Sequence, residues 1–148
     1  MVRKNAIILV IIGIVLGSLG TIVNLTDLSG TKNNVSNEYL VFDDYLTEFS
    51  MKANKNLPKM IDSKVRFDSM VVLPNKTLQS NYTFIAFSKD ELNIDEVKRK
   101  FLPVLLNEVK TNQNLKLLKD NKVTMVYLFN DKNGSEILKL LFDYNDYK

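Results

Sequence analysis

The chain of 148 residues contains no cysteine, no histidine and no tryptophan, and only five glycines and three prolines. Without cysteine there is neither a disulfide nor a lipid-modified thiol, so any core must hold itself together by packing. Without histidine, Ser-His and Cys-His relays cannot exist, and lacking both residues excludes zinc and copper sites of ordinary type. The glycines are Gly13, Gly17, Gly20, Gly30 and Gly134, too scattered to build a phosphate-cradling loop. An excess of one charge is lacking as well. Setting aside Arg3 and Lys4 leaves 18 basic against 17 acidic residues, intermixed along the chain, and this pattern does not point to nucleic acid.

What is present begins at the N-terminus. Met1 to Asn5 is short and basic, and Ala6 to Val23 runs eighteen residues without a charge. With Ser18, Thr21 and Asn24 as its only polar members, the stretch to Leu25 approaches the roughly twenty residues that span a bilayer as a helix. Arg3 and Lys4 stand unbalanced before it, so the positive-inside rule keeps this end cytoplasmic. The expectation is a single-pass anchor over residues 1–25, in contact with the lipid bilayer through residues 6–25, with everything beyond on the far side of the cytoplasmic membrane. A cleaved signal peptide is the competing reading. Its apolar core usually spans about 7–15 residues, shorter than this one. The best cleavage signal, Ser18-Leu19-Gly20, also falls inside the run. Gly13 and Gly17 form a small-xxx-small stripe that can pair two helices and so support a homodimer. Glycine is also common in membrane helices that pair with nothing.

Residues 26–36 are polar and aperiodic and read as a linker, leaving 37–148 as one domain large enough for a real core. Tyr39, Phe42, Leu46, Phe49 and Ala53 recur at helical spacing, predicting a helix from about Asn37 to Asn54 that ends before Pro58. Lys64–Val72 and Thr77–Phe87 alternate, with Leu73-Pro74-Asn75-Lys76 as a turn, and predict a hairpin. In the first strand, Val65, Phe67, Ser69 and Val71 would share one face against Arg66, Asp68, Met70 and Val72. Asn93 and Glu96 have capping-box spacing, and Ile94, Val97, Phe101, Leu105 and Val109 line a second helix that Pro103 should kink or split. A second hairpin follows around Asn133-Gly134, and Tyr144 and Tyr147 read as a loose tail. The order α-β-β-α-β-β predicts an α+β fold: an N-terminal transmembrane helix, then a two-layer domain with a four-stranded antiparallel sheet and two helices on one face.

Three stretches form a familiar set: Leu57-Pro58-Lys59-Met60-Ile61-Asp62 continuing to Arg66-Phe67-Asp68-Ser69, then Asn75-Lys76-Thr77-Leu78 with Asn81-Tyr82-Thr83, and Val123-Thr124-Met125-Val126-Tyr127 with Asp131 and Gly134. Over roughly residues 45–142 the chain resembles a family of small exported or membrane-anchored bacterial proteins of unassigned function. The resemblance implies an envelope location and the α+β class; taken with the anchor read from residues 1–25, the expected place is the cytoplasmic (inner) membrane, with the domain periplasmic. Members tend to carry cysteines where this chain has Lys110-Thr111 and Tyr147-Lys148, so any disulfide of the family is missing here. It implies no catalytic residues.

Carboxylate chemistry is the remaining candidate. Asp131 to Glu136 resembles a calcium loop faintly, without its alternating acids or distal bidentate glutamate. Asp62 and Asp68 flank Arg66, where an ion pair or solvated face is the plain reading. Arg66, Asp68, Gln79, Asn81 and Thr83 fall on the wetter faces of neighbouring strands and form a candidate partner-binding patch; an ordinary solvated sheet face would carry the same residues. No catalytic, cofactor-binding or metal-binding residues are predicted. The expected function is therefore non-enzymatic: a membrane-tethered extracytoplasmic interaction module of the bacterial envelope, its anchor raising its effective concentration near a protein partner. The alternatives are a small-ligand-binding domain, marked by a polar residue such as Ser69 or Ser80 within the apolar layer, or an immunity or exclusion protein against a toxin or phage component.

Overall fold

The structure, a computed structural model, describes residues 38–148. The predicted anchor over residues 1–25, the linker and the Gly13/Gly17 stripe lie outside the described residues. Among the described residues no helix is long and apolar enough to cross a membrane.

Helix α1 (Glu38–Asn54) buries Phe42, Leu46, Phe49 and Ala53, the face its spacing predicted. A two-residue strand β1 (Lys59–Met60) follows, then β2 (Val65–Leu73) and β3 (Thr77–Phe84). Helix α2 (Ile94–Thr111) starts at Asn93, whose side chain accepts from the Glu96 N–H. It runs unsplit through Pro103, which lies on its exposed side. A 3-10 turn leads to the short α3 (Lys116–Asp120), then β4 (Thr124–Asp131), β5 (Glu136–Phe142) and α4 (Tyr144–Tyr147).

The four-stranded antiparallel sheet expected from the sequence is wrong on two counts. The sheet has five strands in the order β1-β2-β3-β4-β5, and its central pair, β3 and β4, is parallel. The physical reason is the crossover. The chain leaves the end of β3, returns the length of the sheet through α2, and starts β4 beside the start of β3, where the Thr124 N–H donates to the Lys76 carbonyl at 3.0 Å. Two hairpins joined by one helical return must put their adjoining strands parallel. The fifth strand, β1, is too short to leave a periodic signal.

Beyond Phe67 the outer edge of β2 has no strand partner among the described residues, and the Asn54 side chain fills that role. Its Nδ2 donates to the Met70 carbonyl and its Oδ1 accepts from the Met70 N–H, both at 2.8 Å. The core between helices and sheet is aromatic. Phe67 stacks on Tyr82 (4.6 Å between centroids) and Tyr82 on Phe129 (5.0 Å), while Phe101 of α2 meets Phe129 edge-on at 5.4 Å. Each such side chain removed from water contributes about 1.5–3 kcal/mol. The C-terminal residues do not form a loose tail: Tyr147 is buried and its Oη donates to the Val123 carbonyl at 2.7 Å.

Candidate interface on the outward sheet face

A β-bulge sets up this site. The register pairs Phe67 with Tyr82 but Ser69 with Asn81, so Asp68 is the extra residue. A bulge shifts the inward–outward alternation by one. Val65 and Phe67 point into the core, and after Asp68 the inward positions are Met70 and Val72, with Ser69 and Val71 turned out. The predicted placing of Ser69 and Val71 with Phe67 is thereby overturned. Met70 is 3% exposed and Val71 39%.

The five predicted patch residues are brought together on the outward face of β2 and β3, each half-buried. They form two hydrogen-bonded groups. In the first, Arg66 Nε donates to Asp68 Oδ1 and Thr83 Oγ1 donates to Asp68 Oδ2 at 2.6 Å. In the second, Gln79 Nε2 donates to Asn81 Oδ1 at 2.8 Å and Asn81 Nδ2 donates to Ser69 Oγ at 2.9 Å. Ser69 is the member that alternation missed. Its signal was two consecutive polar residues, Asp68-Ser69, between the apolar Phe67 and Met70, a spacing of three where a regular strand gives two. The Arg66–Asp68 pair is solvent-accessible, so it contributes little to stability, and its consequence is to orient the guanidinium. Across the rest of this face, Lys139 and Leu141 of β5 are exposed, Leu141 to 56%.

Asp62 does not join the cluster. Its Oδ1 accepts from the Lys64 and Val65 N–H groups, both at 2.7 Å, closing the turn into β2. Asp131, the head of the calcium-like loop, is spent in the same way. Its carboxylate accepts from the Lys89, Asn133 and Ser135 N–H groups, each at 2.8 Å. Burial pushes its pKa up, but these backbone donors outweigh that and hold it below the ordinary carboxylate value. No cluster of three or more carboxylates suited to a metal ion exists among the described residues.

Between α1, α3 and the sheet lies a cavity of about 20 Å³, lined by Phe49, Leu78, Ser80, Leu118, Met125 and Tyr127 among others. Ser80 is the polar residue in the apolar layer that a ligand site would show, and Ser69 is not, being on the opposite face. The volume admits about one water, far below the several hundred Å³ of a metabolite pocket. Burial raises the pKa of the Tyr127 hydroxyl well above the ordinary tyrosine value, with Tyr82 and Glu108 adding to the effect.

A family model described as a domain of unknown function, DUF8479, matches residues 41–139. No curated protein matches the sequence. Among solved structures, the fold is similar to that of a Pseudomonas aeruginosa protein provisionally described as secreted, with TM-score 0.60 and 15% identity, covering 78% of this chain and 100% of that one. It is also similar to EpsS, the pilotin of the Vibrio vulnificus type 2 secretion system, with TM-score 0.59 and 7% identity over 74% of this chain and 94% of the pilotin. The Vibrio cholerae type II secretion system pilotin AspS gives TM-score 0.54 and 8% identity over 72% and 93%. At these identities the likeness is one of fold.

Proposed function

We propose a function for this chain from the premise that it belongs to the DUF8479 family of domains of unknown function: it is a non-catalytic interaction module of the bacterial envelope. In this reading residues 1–25 anchor it in the cytoplasmic membrane with the N-terminus inside, residues 26–36 are the linker, and the folded domain stands on the outer side. Its partner is another envelope protein, met on the outward face of β2 and β3.

One observation carries the reading. Six polar side chains on that face, Arg66, Asp68, Ser69, Gln79, Asn81 and Thr83, are ordered by hydrogen bonds to one another before any partner arrives. Preorganised groups lose less freedom on binding, which is why such arrays favour recognition over plain solvation. The likeness in fold to two type II secretion system pilotins accords with an envelope location for the domain. The small-ligand alternative is disfavoured by the cavity of about 20 Å³. Nothing in the site favours the immunity or exclusion reading.

In-cell crosslinking of the full chain through a C-terminal tag, followed by affinity capture and mass spectrometry, tests this. One reproducible partner whose yield falls when Asn81→Ala and Arg66→Gln are combined supports the reading. A product containing only this chain would replace it with self-association, for which Gly13→Leu and Gly17→Leu are the next variants. A reporter fused after Lys148 that is active only in the cytoplasm would overturn the topology.

A further inference from the structure

The hydrogen-bond inventory of the outward face is lopsided, and the imbalance names a partner chemistry. Asp68 accepts one hydrogen bond at each carboxylate oxygen, from Arg66 Nε at Oδ1 and from Thr83 Oγ1 at Oδ2. Asn81 Oδ1 is taken by Gln79, and Ser69 Oγ by Asn81. Arg66 spends only its Nε. Its terminal nitrogens donate to no group among the described residues, and its side chain is 42% exposed. The acceptors nearest Arg66 are thus engaged within the cluster, and the guanidinium, oriented by Asp68, presents its terminal nitrogens outward, the fork that takes a carboxylate through two parallel hydrogen bonds.

The other end of the face is different. Gln79, opposite Val71 in the ladder, donates its amide to Asn81 and keeps its carbonyl Oε1 for a donor. Thr83, opposite Arg66, and Gln79 are four residues apart on β3, which at roughly 3.3 Å per residue is about 13 Å. Val71, 39% exposed, supplies an apolar contact at the Gln79 end.

Resting on the interaction reading above, we propose that the occupant of this face is an acidic, extended segment of a partner protein. An Asp or Glu carboxylate of that segment seats on the Arg66 fork, and a hydrogen-bond donor about four residues away reaches Gln79 Oε1. Arg66 is the specificity determinant. Asp68 and Thr83 are positioning residues that hold it.

The test places photoreactive benzoylphenylalanine at Val71 of the full chain in its own cells, with Leu102 on the helical side (40% exposed) as a second site. Crosslinked peptides are then mapped by mass spectrometry. The expected product joins Val71 to a segment carrying Asp or Glu, and its yield falls roughly tenfold in Arg66→Gln, the loss of one charge-assisted pair. Arg66→Glu combined with Arg at the mapped acidic position restores it. A Val71 product unchanged by Arg66→Gln, or mapped to a segment without an acid, overturns the carboxylate proposal and leaves the interaction face standing. A lipid-bearing product from Val71 overturns it in favour of a phosphate. Products from Leu102 alone, or from neither site, remove the interaction face and the proposal with it. Unchanged circular dichroism and melting temperature of Arg66→Gln separate lost binding from lost fold.

Discussion

Met70 and Ser69 are adjacent in sequence, and the bulge at Asp68 reverses the faces that regular alternation would give them. Alanine at each position tests this. Met70→Ala removes a side chain that is 3% exposed and sits in the core cluster. Truncating a buried methionine costs about 2–5 kcal/mol, and at roughly 4 °C or more per kcal/mol the melting temperature falls by roughly 8 °C or more. Ser69→Ala removes only the acceptor for Asn81 Nδ2 on a half-buried surface, worth about 0.5–1.5 kcal/mol. Deleting Asp68 is the sharper version. Its neighbours already pair as they would in a regular ladder, Phe67 with Tyr82 and Ser69 with Asn81. The deletion therefore keeps every core side chain inward and loses only the Thr83 bond and the Arg66 pair, together about 1–2 kcal/mol. Urea unfolding of the full chain in detergent, followed by far-UV circular dichroism, measures all three. A Ser69→Ala cost exceeding that of Met70→Ala would refute the bulge. So would an Asp68 deletion that unfolds the domain, as it must if the strand were unbulged and half its residues changed face.

Asp131→Asn should flatten the acid limb of stability. The folded-state pKa of Asp131 lies below its unfolded value, so its contribution is complete above the unfolded pKa and is lost as pH falls through the folded one; urea midpoints below about pH 4 read this out. Tyr147→Phe deprives the buried Val123 carbonyl of its 2.7 Å donor and should cost about 1–2 kcal/mol by the same unfolding assay. Burial, followed by Asp143 and Tyr144, pushes the Tyr147 pKa up to about 12, so its stabilisation is whole below pH 10 and disappears as pH rises through about 12, visible as delayed phenolate absorbance. Gly134→Ala should cost about 1 kcal/mol by thermal melting for conformational reasons alone, because φ is +84° and no atom lies within 4 Å of an added Cβ.

Helix faces were the most legible part of the sequence. Apolar spacing gave the buried stripes Phe42-Leu46-Phe49-Ala53 and Val97-Phe101-Leu105-Val109, because each helix has one core side. The hairpin strands were legible too, and so was the placing of Arg66, Asp68, Gln79, Asn81 and Thr83 on one sheet face, since alternation on β3 is unbroken and that on β2 holds as far as Asp68. Sheet order was not. Local pattern distinguishes a strand from a helix, but the direction of β4 beside β3 depends on where α2 and α3 deliver the chain, a property of the whole path from Phe84 to Thr124. The bulge misled for a related reason. It displaces side chains by a single residue, and Ser69 and Val71 continue the parity of Phe67 on paper. The role of Tyr147 lay beyond local pattern altogether, because its hydrogen bond reaches back twenty-four residues to Val123.

The absence of cysteine makes one measurement decisive. Val71→Cys on the outward sheet face and Leu102→Cys on α2 replace residues of nearly equal exposure, 39% and 40%. In the purified chain the two thiols should therefore react with a membrane-impermeant maleimide at comparable rates. In osmotically shocked cells with the cytoplasmic membrane intact, Leu102→Cys should label and Val71→Cys should be protected by its partner. Equal labelling at both sites would contradict the interface, and labelling at neither until the membrane is broken would contradict the extracytoplasmic placement on which it depends.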